Sequence, residues 1–407
     1  MSGVSIDHLI SIVVLFAAVL LFIGLFNQTL SVAVDYQRNT STAKTCGDLL
    51  DTMLLTPGIP IKGTPVAFGL QDPSLTQYQL SPFSLMRLDS STEAPISYQK
   101  TDLTYSTITT SPHNYLLYPY TDMINYSTAL TLLGISGTYG FQLSLTPTLN
   151  VSIAQTSPST GPLSLSLGVT GTGFPLANAN VNYLLIPVLL NTNYPDFETI
   201  AHQTGTVKTN SVGSASITFS NFSPNPNLTY AFVAYAYLDG ITGIGYYEPS
   251  PVGNQSIVPF LDPLSTQSVT LAHSDDVPHT STNANTLYYN TTFILESQNY
   301  AIQETSLGSS NPSGNVTSGT GTGNSPISIS MDSYTPGILV IAYDNAGNSG
   351  VVMMPWGFSS LGFSMTFGGT PLNHGWVATD LRQVQINGVS YQAKLSLWSV
   401  QGHQESG

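Results

Sequence analysis

Charge is scarce in this chain. Asp, Glu, Lys and Arg make up 7% of 407 residues, against about 25% in an average soluble domain. Basic residues are rarest, with 8 Lys and Arg against 22 Asp and Glu, a formal net charge of −14. No basic stripe exists to neutralise phosphates, which excludes nucleic acid as a partner. A single cysteine, Cys46, excludes a disulfide scaffold and a multi-thiolate metal centre. Catalytic signatures are also lacking: there is no G-x-S-x-G, P-loop, G-x-G-x-x-G, H-E-x-x-H or EF-hand pattern. The chain is therefore not expected to be an enzyme or to hold a cofactor.

What is present argues for folded structure. Hydrophobic residues form 41% of the chain and aromatics 10%, enough to bury a large core and exclude intrinsic disorder. The length suits two or three domains. Ser and Thr supply 97 residues and Asn 26, so the surface is expected to be polar but uncharged. Such a surface changes little in charge as external pH changes, which suits an acidic exterior.

Leu9 to Phe26 carries 18 residues without a charge, 14 of them Leu, Ile, Val or Phe. On insertion scales these favour the bilayer by roughly 4 to 8 kcal/mol at most. As helix the run covers about 27 Å, close to the hydrocarbon thickness. A cleaved secretory signal has a shorter apolar run and a positive flank, whereas no Lys or Arg precedes Arg38. Ser31-Val32-Ala33 nevertheless offers a small-x-small cleavage site, and a buried core helix is the third reading. Composition places the rest of the chain outside the cell.

The helix is expected to run from about residue 6 to 55, roughly 75 Å, with Ser5 as its cap and Asp7 in its first turn. Leu30, Ala33, Tyr36, Ala43, Cys46, Leu50 and Met53 recur at spacings of 3, 4 or 7. They form a seam that packs against the chain's own head or against identical neighbours. Thr56-Pro57-Gly58 ends the pattern.

This N-terminus resembles the type IV pilin-like surface proteins of archaea. The resemblance lies in Gly3, Val4-Ser5-Ile6-Asp7, the uninterrupted apolar helix and its amphipathic extension. It implies removal of a leader after Gly3 and bundling of apolar helices into a filament core. A plain single-pass anchor fits the same residues. The partners expected are thus membrane lipid or identical subunits, in a possible homo-oligomer or filament.

Downstream the pattern turns to strands. Thr56 to about Thr110 reads as irregular chain with short strands, packed on a membrane-proximal head. A short helix is expected around Ser127 to Leu133, stopped by Gly134. Six apolar residues from Phe141 to Ile153 alternate with six polar ones, a half-buried strand or strand pair bent at Pro147. Strand signals then recur near every ten residues, the mark of a sandwich. Gly173-Phe174-Pro175-Leu176-Ala177-Asn178-Ala179-Asn180-Val181 and Thr209 to Ile217 resemble bacterial Ig-like and prealbumin-like extracellular modules. That implies a spacer or adhesive β-sandwich.

Asn227 to Pro249 and Thr335 to Pro355 share one pattern of apolar strand, tight turn, apolar strand and proline, so a second module is expected. Leu307 to Pro326, rich in Gly, Ser and Thr, reads as a mobile loop. Asn387-Gly388 between alternating runs predicts a tight hairpin, expected to pair with the strand from Phe141 to Ile153.

The fold class expected is mainly β, with a long N-terminal transmembrane and stalk helix, an α+β membrane-proximal head and two Ig-like β-sandwich modules. The divisions are 1–55 for the helix, 56–155 for the head, 156–262 and 263–357 for the sandwiches, and 358–407 for a hairpin returning to the head. The function expected is structural: a pilin-like filament subunit or membrane-anchored module at the cell surface. An extracellular adhesion or substrate-binding receptor is the alternative.

Candidate sites are few. His273, Asp275, Asp276 and His279 fall within seven residues and carry donors for a divalent ion, or form a solvated turn. Asp344, Asn345 and Asn348 offer oxygens for Ca²⁺, or again a turn. Cys46 reads as a small apolar residue on the stalk, or as a thiol linking a dimer. Sequons occur at nine asparagines, close to the number expected by chance. Apart from Asn27, too near the membrane, they leave Asn39, Asn125, Asn150, Asn221, Asn227, Asn254, Asn290 and Asn315 as glycan acceptors for a chain outside the cell. The 22 tyrosines, such as Tyr115, Tyr118 and Tyr120, supply packing or an adhesive face.

Overall fold

The fold is taken from a computed structural model. It describes residues 3–57, 68–72, 76–88, 96–98, 103–111, 114–119, 124–157, 161–190, 195–197, 199–250, 257–261, 268–273, 286–296, 302–305, 315–322, 327–330, 337–345, 348–356, 362, 364–371 and 376–400. The protein is mainly β, with one long apolar helix followed by β-sheet domains.

Helix α1 spans Gly3–Leu55, 53 residues, or about 80 Å at 1.5 Å per residue. It begins before Ser5, so Ser5 lies within the first turn instead of capping it, and no acid sits in that turn. At the far end the chain folds back, and the N–H groups of Leu70 and Gln71 donate to the carbonyls of Met53 and Thr56. These bonds satisfy carbonyls that the end of a helix leaves without partners.

The last three turns of α1 bury Cys46, Leu49, Leu50, Met53 and Leu54 against the head sheet. That sheet has the strand order Gln79–Leu80, Val377–Ile386, Val389–Ser399, Tyr139–Pro147, Met365–Gly368. The C-terminal hairpin turns at Asn387 (φ 47°) and Gly388 (φ 75°), the left-handed pair a two-residue hairpin needs. Its second strand pairs with Tyr139–Pro147, Leu395 opposite Leu143. Helix α2, Pro82–Met86, is capped by Ser81. Helix α3, Tyr126–Leu132, is capped by Asn125, whose side chain accepts from the N–H of Thr128. Gly134 at φ 68° follows.

The alternating run through Pro147 makes two strands in two different sheets. Tyr139–Pro147 stays in the head, and Leu149–Gln155 crosses into the first sandwich. Residues 149–155, expected in the head, therefore belong to the sandwich. One sheet of the sandwich runs Ser214–Phe219, Leu163–Gly171, Leu149–Gln155. The other runs Gln203–Lys208, Asn180–Leu189, Leu228–Leu238, Ile241–Tyr247. Their inner faces meet in a core that includes Leu165, Leu167, Val181, Leu185, Ile217 and Phe232. Alternation puts every second residue there.

The module-like motif has local work to do. Thr209 Oγ1 accepts from the N–H of Ala179 and donates to the carbonyl of Leu176. Asn210 Oδ1 accepts from the N–H groups of Val212 and Ser214. These side chains pin two loops together where backbone pairing ends.

The second module differs from its expected outline. One sheet centres on Thr286–Glu296, paired along one edge with Gly337–Asn345, which in turn pairs with Asn348–Trp356. Along its other edge lie Ile302–Thr305 and Asn315–Thr322. The run read as a mobile loop thus contains a strand at residues 315–322; backbone pairing needs no apolar side chains. The other sheet runs Ile327–Ser330, Ser268–His273, Ile257–Leu261, Asn114–Pro119, Leu103–Ser111, Ile96–Tyr98. Residues 96–111, read as irregular chain on the head, therefore extend the sheet of the second module, through a parallel contact of Phe260 with Leu117. Both predicted repeat hairpins are present, Leu228–Leu238 with Ile241–Tyr247 and Gly337–Asn345 with Asn348–Trp356.

Candidate functional site

The helix α1 changes character along its length. Every residue from His8 to Arg38 is exposed, including Leu20 at 68% and Phe22 at 70%. It is long and apolar enough to cross a membrane, and none of its most apolar 18-residue window is buried. From Thr42 onward the head covers one side of the same helix. Phe22 and Phe26, one turn apart, stack at 6.3 Å.

The head starts at Arg38, where Nη2 donates to Ser399 Oγ at 2.9 Å. The twelve residues from Phe26 to Arg38 span about 18 Å. Within them Leu30, Val32, Val34 and Tyr36 stand uncovered, Tyr36 at 74%. The predicted seam therefore divides. Cys46, Leu50 and Met53 pack on the head, while Leu30, Ala33, Tyr36 and Ala43 face solvent. The helix turns about 100° per residue, so Leu30 and Met53, 23 positions apart, point about 140° away from each other. A repeat of mixed 3, 4 and 7 spacings winds around a straight helix and does not stay on one side.

Five threonine hydroxyls along α1 are satisfied within it. Thr29, Thr40, Thr42, Thr45 and Thr52 each donate to the carbonyl four residues back. They make the stalk polar without charge.

A charged clamp joins helix to head. Arg382 donates Nε and Nη2 to the two carboxylate oxygens of Asp51 at 3.0 and 3.2 Å, and Nη1 to Asp380 at 2.7 Å. The bonds to Asp51 and then Asp380 push the guanidinium pKa further above its ordinary value. Sequence reading missed this clamp. Its signal was Asp51, a lone acid inside the apolar run Leu49 to Leu55.

Cys46 lies beneath the clamp, 1% exposed, with Sγ 3.5 Å from the carbonyl of Leu395. Burial, and then the charge of Asp380, raise its pKa to about 11. It is a small buried residue; a thiol-linked dimer would need it at the surface.

The remaining predicted residues scatter. Asn125, Asn150, Asn221 and Asn227 are exposed and Asn39 is half-buried. Asn290 is the correction: it is 7% exposed, donates to the carbonyl of Pro195 and accepts from the N–H of Thr291. Both strand edges beside it are paired, so no glycan fits there in the folded chain. Asn254 lies outside the described residues, and Asn315 opens the strand 315–322.

Asp275, Asp276 and His279 also lie outside the described residues, and His273 ends the strand Ser268–His273. Asn345 and Asn348 face each other as the last pair of their hairpin. Among the described residues no three His, Cys, Asp or Glu side chains cluster as metal ligands. Tyr115 and Tyr118 lie on the strand Asn114–Pro119, and Tyr120 lies outside the described residues. Compared with known proteins, the chain matches no family model and no curated protein.

Proposed function

We propose that this protein is a structural component of a cell surface, held by its N-terminal helix and projecting its β modules outward. The observation that carries this reading is the division of one continuous helix. Its residues 8–37 leave a long apolar surface exposed, while residues 42–54 are locked into the head. Bare Leu, Ile, Val and Phe side chains over about 27 Å need a solvent other than water. Lipid supplies it for a single-pass anchor; apolar helices of identical subunits supply it for a pilin-like filament. The packing of residues 42–54 on the head joins the modules to the helix in either setting.

The deciding measurement is the mature N-terminus and mass of the native protein, with electron microscopy of the same preparation. A start at Val4 together with filaments supports the filament form. A start at Met1 or Ser2 with recovery in the membrane fraction supports the anchor. A start near Val34, in a soluble protein, overturns the reading, because the apolar segment would then have been discarded.

A further inference from the structure

A cleft of about 250 Å³ opens where the first sandwich meets the strand Asn348–Trp356 of the second module. We infer that this cleft binds one neutral sugar residue, an inference independent of how the helix is anchored.

Its lining carries no charged side chain. The lining surface is mainly apolar, and the polar residues among it carry amides and hydroxyls: Gln155, Asn225, Thr229, Tyr230, Ser250 and Ser349. Such groups both donate and accept. An anion would lose its hydration there with no cation to replace it, and a cation would meet no carboxylate. A pyranose satisfies both characters of the site, with hydroxyls around its rim and C–H groups on its faces. Pro224, Pro226 and Pro249 supply the matching apolar walls.

The size suits a small ligand, since pockets for drug-sized molecules run to about 300–1,000 Å³.

The cleft is also preformed. Tyr230, fully buried, donates its hydroxyl to Gln155 Oε1 at 2.9 Å. That bond turns the Gln155 Nε2 group toward long contacts of 3.4 and 3.5 Å with Ser157, bonds that a better-placed acceptor would displace. The turn Asn225 to Leu228 closes on itself by two backbone bonds of 2.9 Å. Across the junction the N–H of Met353 donates to Glu248 at 2.5 Å, and Asn290 Nδ2 to the carbonyl of Pro195 at 3.1 Å. A site fixed before binding loses little entropy when it is filled.

The sugar has two possible sources. One is this chain: Asn227, exposed within the turn that forms one wall, heads the sequon Asn227-Leu228-Thr229. A saccharide from outside the chain has the same chemistry.

The test uses the full chain in detergent, made in a host that adds no glycans. Methyl glycosides of neutral hexoses and N-acetylhexosamines are the probes, read by saturation-transfer NMR and calorimetry. At least one is expected to bind with a Kd of about 1 mM or tighter. The variant Ser250→Trp, which fills the mouth from an exposed position, is expected to weaken it by about tenfold or more with its unfolding midpoint unchanged. Val212→Ser, in a loop of the first sandwich that does not line the cleft, leaves binding unchanged. Failure of every glycoside to bind, binding indifferent to Ser250→Trp, or displacement by a proline-rich peptide overturns the inference. Protein from the native source separates the two origins. If the free glycoside binds it about tenfold more weakly than it binds the Asn227→Gln variant, the chain's own glycan fills the cleft; equal binding assigns the cleft to an outside saccharide.

Discussion

At the scale of single residues, the head depends on a few groups that hold the helix down. Arg382 lies between Asp51 of the helix and Asp380 of the sheet. Its partners are 40% and 30% exposed, so water and salt screen them and the clamp contributes modestly. Arg382→Met is expected to cost about 1 kcal/mol in chemical denaturation. Arg382→Lys should recover only part of this, because a lysine cannot span both oxygens of Asp51. Equal stability of the Met variant and the parent would show that the clamp does not bear on folding. Cys46 gives a sharper readout. Buried, with its thiol pKa raised to about 11, it should resist thiol reagents in the native protein and react fully in denaturant. Rapid reaction under native conditions would mean that the stalk leaves the head.

Elements differ in how plainly the residues announce them. The C-terminal hairpin was readable because its turn and its alternation are local, and both residues at the turn have positive φ. Gly388→Val should therefore cost about 1–2 kcal/mol of stability, measured against Asn387→Gly, which the turn tolerates. Leu395→Ala, deep in the head, should cost about 2–5 kcal/mol. The membership of the second module was not readable. Nothing near Leu117 says that Phe260, far along the chain, will lie beside it. The alternation of Phe141 to Ile153 showed its inward and outward faces but not that Thr148 divides it between two sheets. The strand at 315–322 was missed because Gly, Ser and Thr give no apolar period, and the ladder to Thr286–Glu296 supplies the order instead. The candidate sites fared similarly: the long apolar helix was plain, whereas the clamp and the cleft join residues from distant segments that no spacing could connect.

Buried tyrosines give the whole fold an alkaline sensitivity. Tyr230, Tyr343 and Tyr391 are fully buried, and burial raises the pKa of each above the ordinary value. A folded-state pKa above the unfolded one favours folding below the unfolded value, here about 10, and that advantage is lost as pH rises beyond it. Each such tyrosine then costs about 1.4 kcal/mol per pH unit, and Cys46 begins the trend near pH 9. The unfolding midpoint should fall steeply above about pH 10. A flat profile to pH 12 would contradict the burial of these side chains.

The head sheet has a further consequence, for the order in which the chain is made. Its inner strands come from residues 139–147 and 377–399, so the surface on which Leu50 and Met53 pack is completed after both sandwiches have been made. A ribosome delivers the sandwich of residues 149–247 as a contiguous piece that can close early. The stalk must wait, greasy side bare, until the strands of residues 377–399 emerge. A chain that stops short would carry that bare stripe as a visible mark of incompleteness, open to the proteases that clear unfinished proteins.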